Sequence, residues 1–162
     1  MLGANQIAAN QLQPHLRPGI GRDLSVDDTI LVVEDEAFVR EATCDILEGE
    51  GYRVLRACNA AEAQAALRRH PGSVQLLLSD IVLPGQNGPA LARELRVALP
   101  SIKVILISGF PLNTVAQSGL AAGQMAFLPK PFSAESLLGK VREVLQSEEP
   151  VVSPGGCGPI AK

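Results

Sequence analysis

The stretch "LLLSDIVLPGQNG", residues 76–88, decides the fold. Three leucines and a serine form an apolar run that closes on one acid, Asp80. Pro84-Gly85 then marks a tight turn, and Gly88-Pro89 opens a new pattern. An unbroken apolar run of this length reads as a strand covered on both faces, as in a parallel sheet. "PALARELRVAL", residues 89–99, has helical spacing, with Pro89 near the first turn, where its missing N–H leaves no bond unmade. The unit is strand, turn, helix, and its strand delivers a single carboxylate to its C-terminal end.

The same unit repeats on both sides of this stretch. "TILVV" (29–33) is a first strand. "EAFVREATCDILEGEG" (36–51) follows with helical spacing at Val39, Ala42, Thr43, Ile46 and Leu47, stopped by Gly49 and Gly51. "RVLRA" (53–57) is a second strand, and "NAAEAQAALRR" (59–69) a helix with Asn59 as N-cap, ended by Pro71-Gly72. "KVILIS" (103–108) is the fourth strand. "LNTVAQSGLAAG" (112–123) is a poor helix, weakened by Gly119 and short polar residues. "MAFL" (125–128) is the fifth strand, and "SAESLLGKVREVLQ" (133–146) a helix capped by Ser133. Five strands alternating with five helices predict a doubly wound α/β domain, a parallel sheet with helices on both faces. Ligands of such sheets bind outside the carboxyl ends of the strands.

The ends differ from this middle. Residues 1–28 mix Gln, Asn, Pro and Gly and are expected to be a largely irregular extension, with a short helix over "NQIAANQLQ" (5–13). Residues 148–162, "EPVVSPGGCGPIAK" with the preceding Glu, are expected to form a flexible Pro/Gly-rich tail. Residues 29–147 remain as one domain. The chain has 162 residues, 46% of them apolar and 19% charged, which suffices for one good core. A net charge of -3 and 3% aromatics argue against a direct nucleic-acid binder or a base-stacking platform. Cys44, Cys58 and Cys157 are odd in number and widely spaced, which points to a reducing cytoplasm rather than a disulfide framework or zinc site. The N-terminal residues lack the pattern of a signal peptide, and no apolar run is long enough for membrane insertion.

Chemistry-bearing residues collect at the predicted strand ends. Glu34-Asp35-Glu36 follows the first strand, Asp80 the third, Ser108-Gly109 closes the fourth, and Pro129-Lys130-Pro131-Phe132 follows the fifth. Each has an ordinary structural reading. Acids before a helix favour its positive dipole end, and Asp or Ser after a strand forms turns. A lone lysine is usually solvated. The joint pattern outweighs these readings, because all four fall at the C-terminal ends of one sheet. Clustered carboxylates raise one another's pKa unless a cation sits among them. Mg²⁺ takes such oxygen ligands, and a carboxylate can attack phosphorus to form an acyl phosphate. A lysine amine and a serine hydroxyl can then hold phosphoryl oxygens.

In combination, "ILVVEDE", "LLLSDIVLPGQNG", "VILISG" and "FLPKPF" resemble the receiver domain of bacterial two-component response regulators, over residues 29–147 and in the right order. The resemblance implies a flavodoxin-like (βα)5 fold with strand order 2-1-3-4-5. It implies Asp80 as phosphoacceptor, with Glu34 and Asp35 as the acidic pair around Mg²⁺ (or Mn²⁺), Asp35 being favoured as the direct ligand. The backbone carbonyl of Val82 joins them, Ser108 and Lys130 contact the phosphoryl group, Phe127 takes the aromatic switch position, and the Lys130-Pro131 bond is cis. The partners so implied are a histidine kinase or a histidine phosphotransfer protein. Glu34 stands where Asp is frequent, Ser108 where Thr is usual, and Phe127 lacks the hydroxyl a Tyr would offer.

Two rival classes fit the residues less well. A metal-dependent phosphohydrolase with Asp80 as nucleophile needs a second acid two residues on, and Val82 cannot do acid-base work. A pseudo-receiver, a binding module that never takes phosphate, is expected to lack Asp80 or Lys130, and both are present. Apolar Val82 and Phe110 beside the path of an attacking water predict slow self-dephosphorylation. The starting Met and the tail favour a stand-alone regulator, whereas "ISGFP" and "FLPKPF" lean toward receivers of hybrid histidine kinases.

Overall fold

A computed structural model describes residues 28–110 and 125–147. The helix expected over 112–123, nearly all of the N-terminal extension and the tail lie outside the described residues. In chain order the elements are β1 (Thr29–Val33), α1 (Ala37–Gly49), β2 (Arg53–Ala57), α2 (Ala60–Arg69), β3 (Val74–Asp80), α3 (Gly88–Ala98), β4 (Lys103–Ser108), β5 (Ala126–Pro129) and α4 (Ala134–Gln146).

The strands pair in the order β2-β1-β3-β4-β5, every pair parallel. Because successive side chains point to opposite faces, each central strand feeds two cores. Leu31, Val33, Leu77, Val104 and Leu106 meet Ala63 and Leu67 of α2 and Leu91 and Leu95 of α3. Ile30, Val32, Leu76, Leu78, Ile105 and Ile107 meet Cys44 and Leu47 of α1 and Leu137 and Val141 of α4. This double burial is why β1, β3 and β4 read as unbroken apolar runs.

Three helix starts are fixed by side chains. The Glu62 backbone N–H donates to Asn59 Oδ1 (2.9 Å), while Glu62 Oε2 accepts from the Cys58 N–H (2.8 Å). Asn87 Oδ1 accepts from the Ala90 N–H at 2.8 Å. Ser133 and Ser136 form a reciprocal capping box. The expected stripe of α1 needs one correction: Thr43, Cys44 and Leu47 are buried, whereas Ala42 is exposed. The stripe is centred nearer Cys44 than spacing alone suggested, because α1 is wedged between the sheet and α4.

Candidate functional site at the carboxyl edge of the sheet

Pairing order determines which strand ends become neighbours. Val33 of β1 lies opposite Ser79 of β3, Asp80 opposite Ile107 of β4, and Ser108 opposite Pro129 of β5. Glu34, Asp80, Ser108 and Lys130 therefore line one edge across four adjacent strands.

Lys130 draws two acids together. Its Nζ donates to Asp80 Oδ2 at 2.6 Å and to Glu34 Oε2 at 3.0 Å. The Lys130 backbone N–H donates to Ser108 O at 2.7 Å, so the chain past β5 continues the sheet ladder before the cis Lys130-Pro131 bond. Side-chain exposures of 4% for Glu34, 13% for Asp80 and 27% for Lys130 place the cluster at the mouth of the core rather than in bulk solvent. Unit charges at 4 Å and an effective dielectric of 20 attract by about 4 kcal/mol, and the desolvation of all three groups offsets much of that. Burial pushes the Glu34 carboxyl above its ordinary value, against the opposing pull of the bonds from Lys130 and the Glu36 amide. Burial alone would lower the Lys130 ammonium. Its bonds to Asp80 and Glu34 and their charges outweigh this and hold it above the usual lysine value.

The Asp80 loop is equally constrained. Asp80 Oδ1 accepts from the Val82 N–H at 2.9 Å, while the Val82 side chain is exposed. The Ile81 N–H donates to Ile107 O, and the Gly88 N–H to Ile81 O, both at 2.9 Å. Pro84-Gly85 turns the chain with Gly85 at φ +78. A side chain at Gly88 would place its Cβ 2.2 Å from the Asp80 carbonyl oxygen, so only glycine lets α3 start here.

The remaining predicted residues are placed as follows. Asp35 is exposed and makes no hydrogen bond or ion pair among the described residues. It is not a cap either: Glu36 is the N-cap of α1 and makes no side-chain cap bond. Ser108 is buried, and its Oγ donates to Phe110 O (3.1 Å) and accepts from the Phe110 N–H (3.0 Å). Phe127 is half-buried against the α2–α3 side of the core. The structure thus brings Glu34, Asp80 and Lys130 into contact and leaves the Asp35 carboxylate and the Ser108 hydroxyl engaged elsewhere or unpaired. Sequence reasoning missed two contributors. Arg40 Nη1 donates to Glu34 O at 2.8 Å, and Ser79 Oγ donates to Asp80 O at 2.9 Å. Arg40 was legible as a basic residue in the first turns of α1, six positions after Glu34; the Ser79 bond carried no sequence signal.

Among the described residues no three His, Cys, Asp or Glu side chains gather closely enough to hold a metal ion. The donor set nevertheless fits Mg²⁺ or Mn²⁺ in kind. Two carboxylates converge on one cation, the Lys130 ammonium, and the next residue after Glu34, Asp35, carries a third carboxylate that is exposed and makes no bond among the described residues. Hard oxygen donors of this type suit those ions.

Comparison with known proteins decides the family. The profile of the response regulator receiver domain matches residues 30–142. The chain belongs to the response regulator receiver domain family. The sensor kinase CckA of Brucella abortus is 39% identical over 127 residues, covering 78% of this chain and 13% of the kinase. The aerobic respiration control protein ArcA of Escherichia coli K12 is 35% identical, covering 72% of this chain and 48% of ArcA. The chain thus spans half or less of these curated relatives. Among solved receivers, that of the hybrid histidine kinase CckA superposes with a TM-score of 0.61 at 36% identity, covering 73% of this chain and 99% of that one. The CheY-like receiver of Methanospirillum hungatei JF-1 gives 0.62 at 32% identity, covering 73% and 93%. The receiver sheet order 2-1-3-4-5 is therefore found as the resemblance implied. No helix among the described residues is long and apolar enough to cross a membrane.

Proposed function

We propose that this receiver accepts a phosphoryl group on Asp80 from a histidine kinase or a histidine phosphotransfer protein, and that the modified site switches a protein-binding face. The observation that carries the reading is the single Lys130 ammonium gripping both Asp80 and Glu34 at the carboxyl edge. An Asp80 carboxylate oxygen attacks phosphorus. The P–N bond to the donor imidazole breaks, and its electron pair returns to that nitrogen. Lys130 then moves from the carboxylate to a phosphoryl oxygen, and Ser108 turns its hydroxyl from the Phe110 backbone to another.

Glu34, Asp35, Asp80 and the Val82 carbonyl are the groups that would hold Mg²⁺ or Mn²⁺. A bound ion there shields two anions that must approach each other. Phe127, next to the α2–α3 core, serves as the aromatic switch. The site is a signalling phosphoacceptor rather than a turnover catalyst, working in the cytoplasm with protein partners and no direct contact to nucleic acid. The likeness to a sensor kinase and to the solved receiver of a hybrid histidine kinase supports a kinase-associated type.

The test is intact-mass analysis after incubation with acetyl phosphate and Mg²⁺. One phosphoryl adduct is expected on the wild-type chain, with none on Asp80→Asn and none after chelation. An Asp80→Asn chain labelled to wild-type yield rules the reading out.

A further inference from the structure

We infer that Arg40 is a positioning residue: by bonding the Glu34 carbonyl it fixes the Glu34–Asp35 peptide and so aims the Asp35 carboxylate at the metal position. The inference rests on the proposed role of Asp35 as a metal ligand.

The loop between β1 and α1 has little else to hold it. Its N-cap, Glu36, makes no side-chain cap bond, and Asp35, Glu36 and Ala37 are all exposed. Glu34, by contrast, is tied at every polar atom. Its N–H donates to Ala57 O at 3.1 Å, extending β1 along β2. Its Oε1 accepts from the Glu36 N–H at 3.2 Å and its Oε2 from Lys130 at 3.0 Å. The fourth tie, on the carbonyl oxygen, comes from Arg40 at 2.8 Å. The Arg40 N–H also closes the first turn of α1 on Glu36 O at 2.9 Å. One residue therefore holds both ends of the segment that contains Asp35.

A trans peptide is planar, so anchoring the Glu34 carbonyl also fixes the direction of the Asp35 N–H and Cα. One backbone torsion, φ of Asp35, and two side-chain torsions then separate a fixed plane from the carboxylate. Without the anchor the peptide rotates and Asp35 must be ordered when the ion binds. The Arg40 side chain is largely buried, at 17% exposure, and its nearest acid, Glu41, lies 3.7 Å away, beyond hydrogen-bond range. Among the described residues the bond to Glu34 O is thus the principal one that guanidinium makes.

Simple electrostatics predicts the opposite sign. A cation beside the acids repels Mg²⁺, so removing it should tighten metal binding. Positioning predicts that removing it weakens binding, typically about 10-fold or more for groups that orient a ligand. A purely structural tie lowers the melting temperature in chelator and leaves metal affinity alone.

The experiment titrates MgCl₂ into the full chain and follows the melting temperature, which rises when an ion binds only the folded state. Wild type, Arg40→Ala and Arg40→Lys are compared, each with its own chelator baseline. We expect the half-saturating Mg²⁺ concentration to rise about 10-fold for Arg40→Ala and by a smaller factor for Arg40→Lys, which keeps the charge and a donor nitrogen but not the planar fork. If Arg40→Ala does not fold, the Lys variant still reads the shift. An unchanged or lower half-saturating concentration in the folded variants overturns the role of Arg40 alone. A wild-type chain whose melting temperature ignores Mg²⁺ overturns the metal reading and this inference together.

Discussion

A methyl group added at residue 88 would lie 2.2 Å from the Asp80 carbonyl oxygen and 3.0 Å from Ser79 Oγ. The obstacle is backbone, so relief requires moving either the Asp80 loop or the start of α3. We expect Gly88→Ala to cost about 2–4 kcal/mol in urea unfolding and to slow labelling of Asp80 by acetyl phosphate. A loss below about 0.5 kcal/mol would show that the loop shifts freely. At the same scale, Val82 and Phe110 are exposed at 60% and 56%, so neither fills the core. Their backbones bond Asp80 and Ser108 at the carboxyl edge, and neither side chain has a group to orient water. Val82→Asn with Phe110→Glu is expected to shorten the lifetime of the phosphorylated protein after donor removal. An unchanged or longer lifetime removes these side chains from control of hydrolysis.

Among the elements, α4 carries an avoidable weakness. Gly139 lies in its interior, and a Cβ there meets nothing within 4 Å. Gly139→Ala should stabilise the domain by about 0.5–1 kcal/mol in chemical unfolding, whereas a loss would reveal a neighbour at that position. The elements were also the most legible level of the sequence. Strands covered on both faces show as apolar runs, and Asn59 and Ser133 cap where short polar residues precede a helix. Strand order was not legible from periodicity, which says nothing about which strands pair; it came from the family resemblance. The site was legible in its residue types, since Glu34, Asp80 and Lys130 do meet. Its supports were not. The Arg40 bond depends on how β1 and α1 lie in space, the Ser79 bond is a local one without a sequence signal, and Cys44, outside the expected stripe, is buried in the core that also holds Leu137 and Val141 of α4.

At the scale of the whole molecule, a titratable thiol sits inside one of the two cores. Cys44 is fully buried, and burial pushes its thiol from 9.0 to about 11. The folded state holds this proton more tightly than the unfolded chain does. Its contribution to stability is therefore complete below about pH 9 and declines as pH rises toward 11. The loss is on the order of 2 kcal/mol. Burial also raises the Tyr52 hydroxyl, which adds to alkaline sensitivity in the same direction. Urea unfolding between about pH 8 and pH 10.5 should show Cys44→Ala losing less stability over that interval than wild type. Equal slopes would place the alkaline titration elsewhere.

The Ser108 hydroxyl supplies both bonds of a small ring with the Phe110 backbone. A hydroxyl recruited by a phosphoryl oxygen surrenders its proton from that ring and turns its lone pairs. The Phe110 amide then becomes a built-in reporter, one N–H whose exchange with solvent reads the occupancy of a carboxylate on a neighbouring strand. Its exchange should quicken on phosphorylation, and Ser108→Ala should quicken it permanently and make it indifferent to phosphate. A Phe110 amide that exchanges alike in all three states would mean that the ring and the site are not wired together.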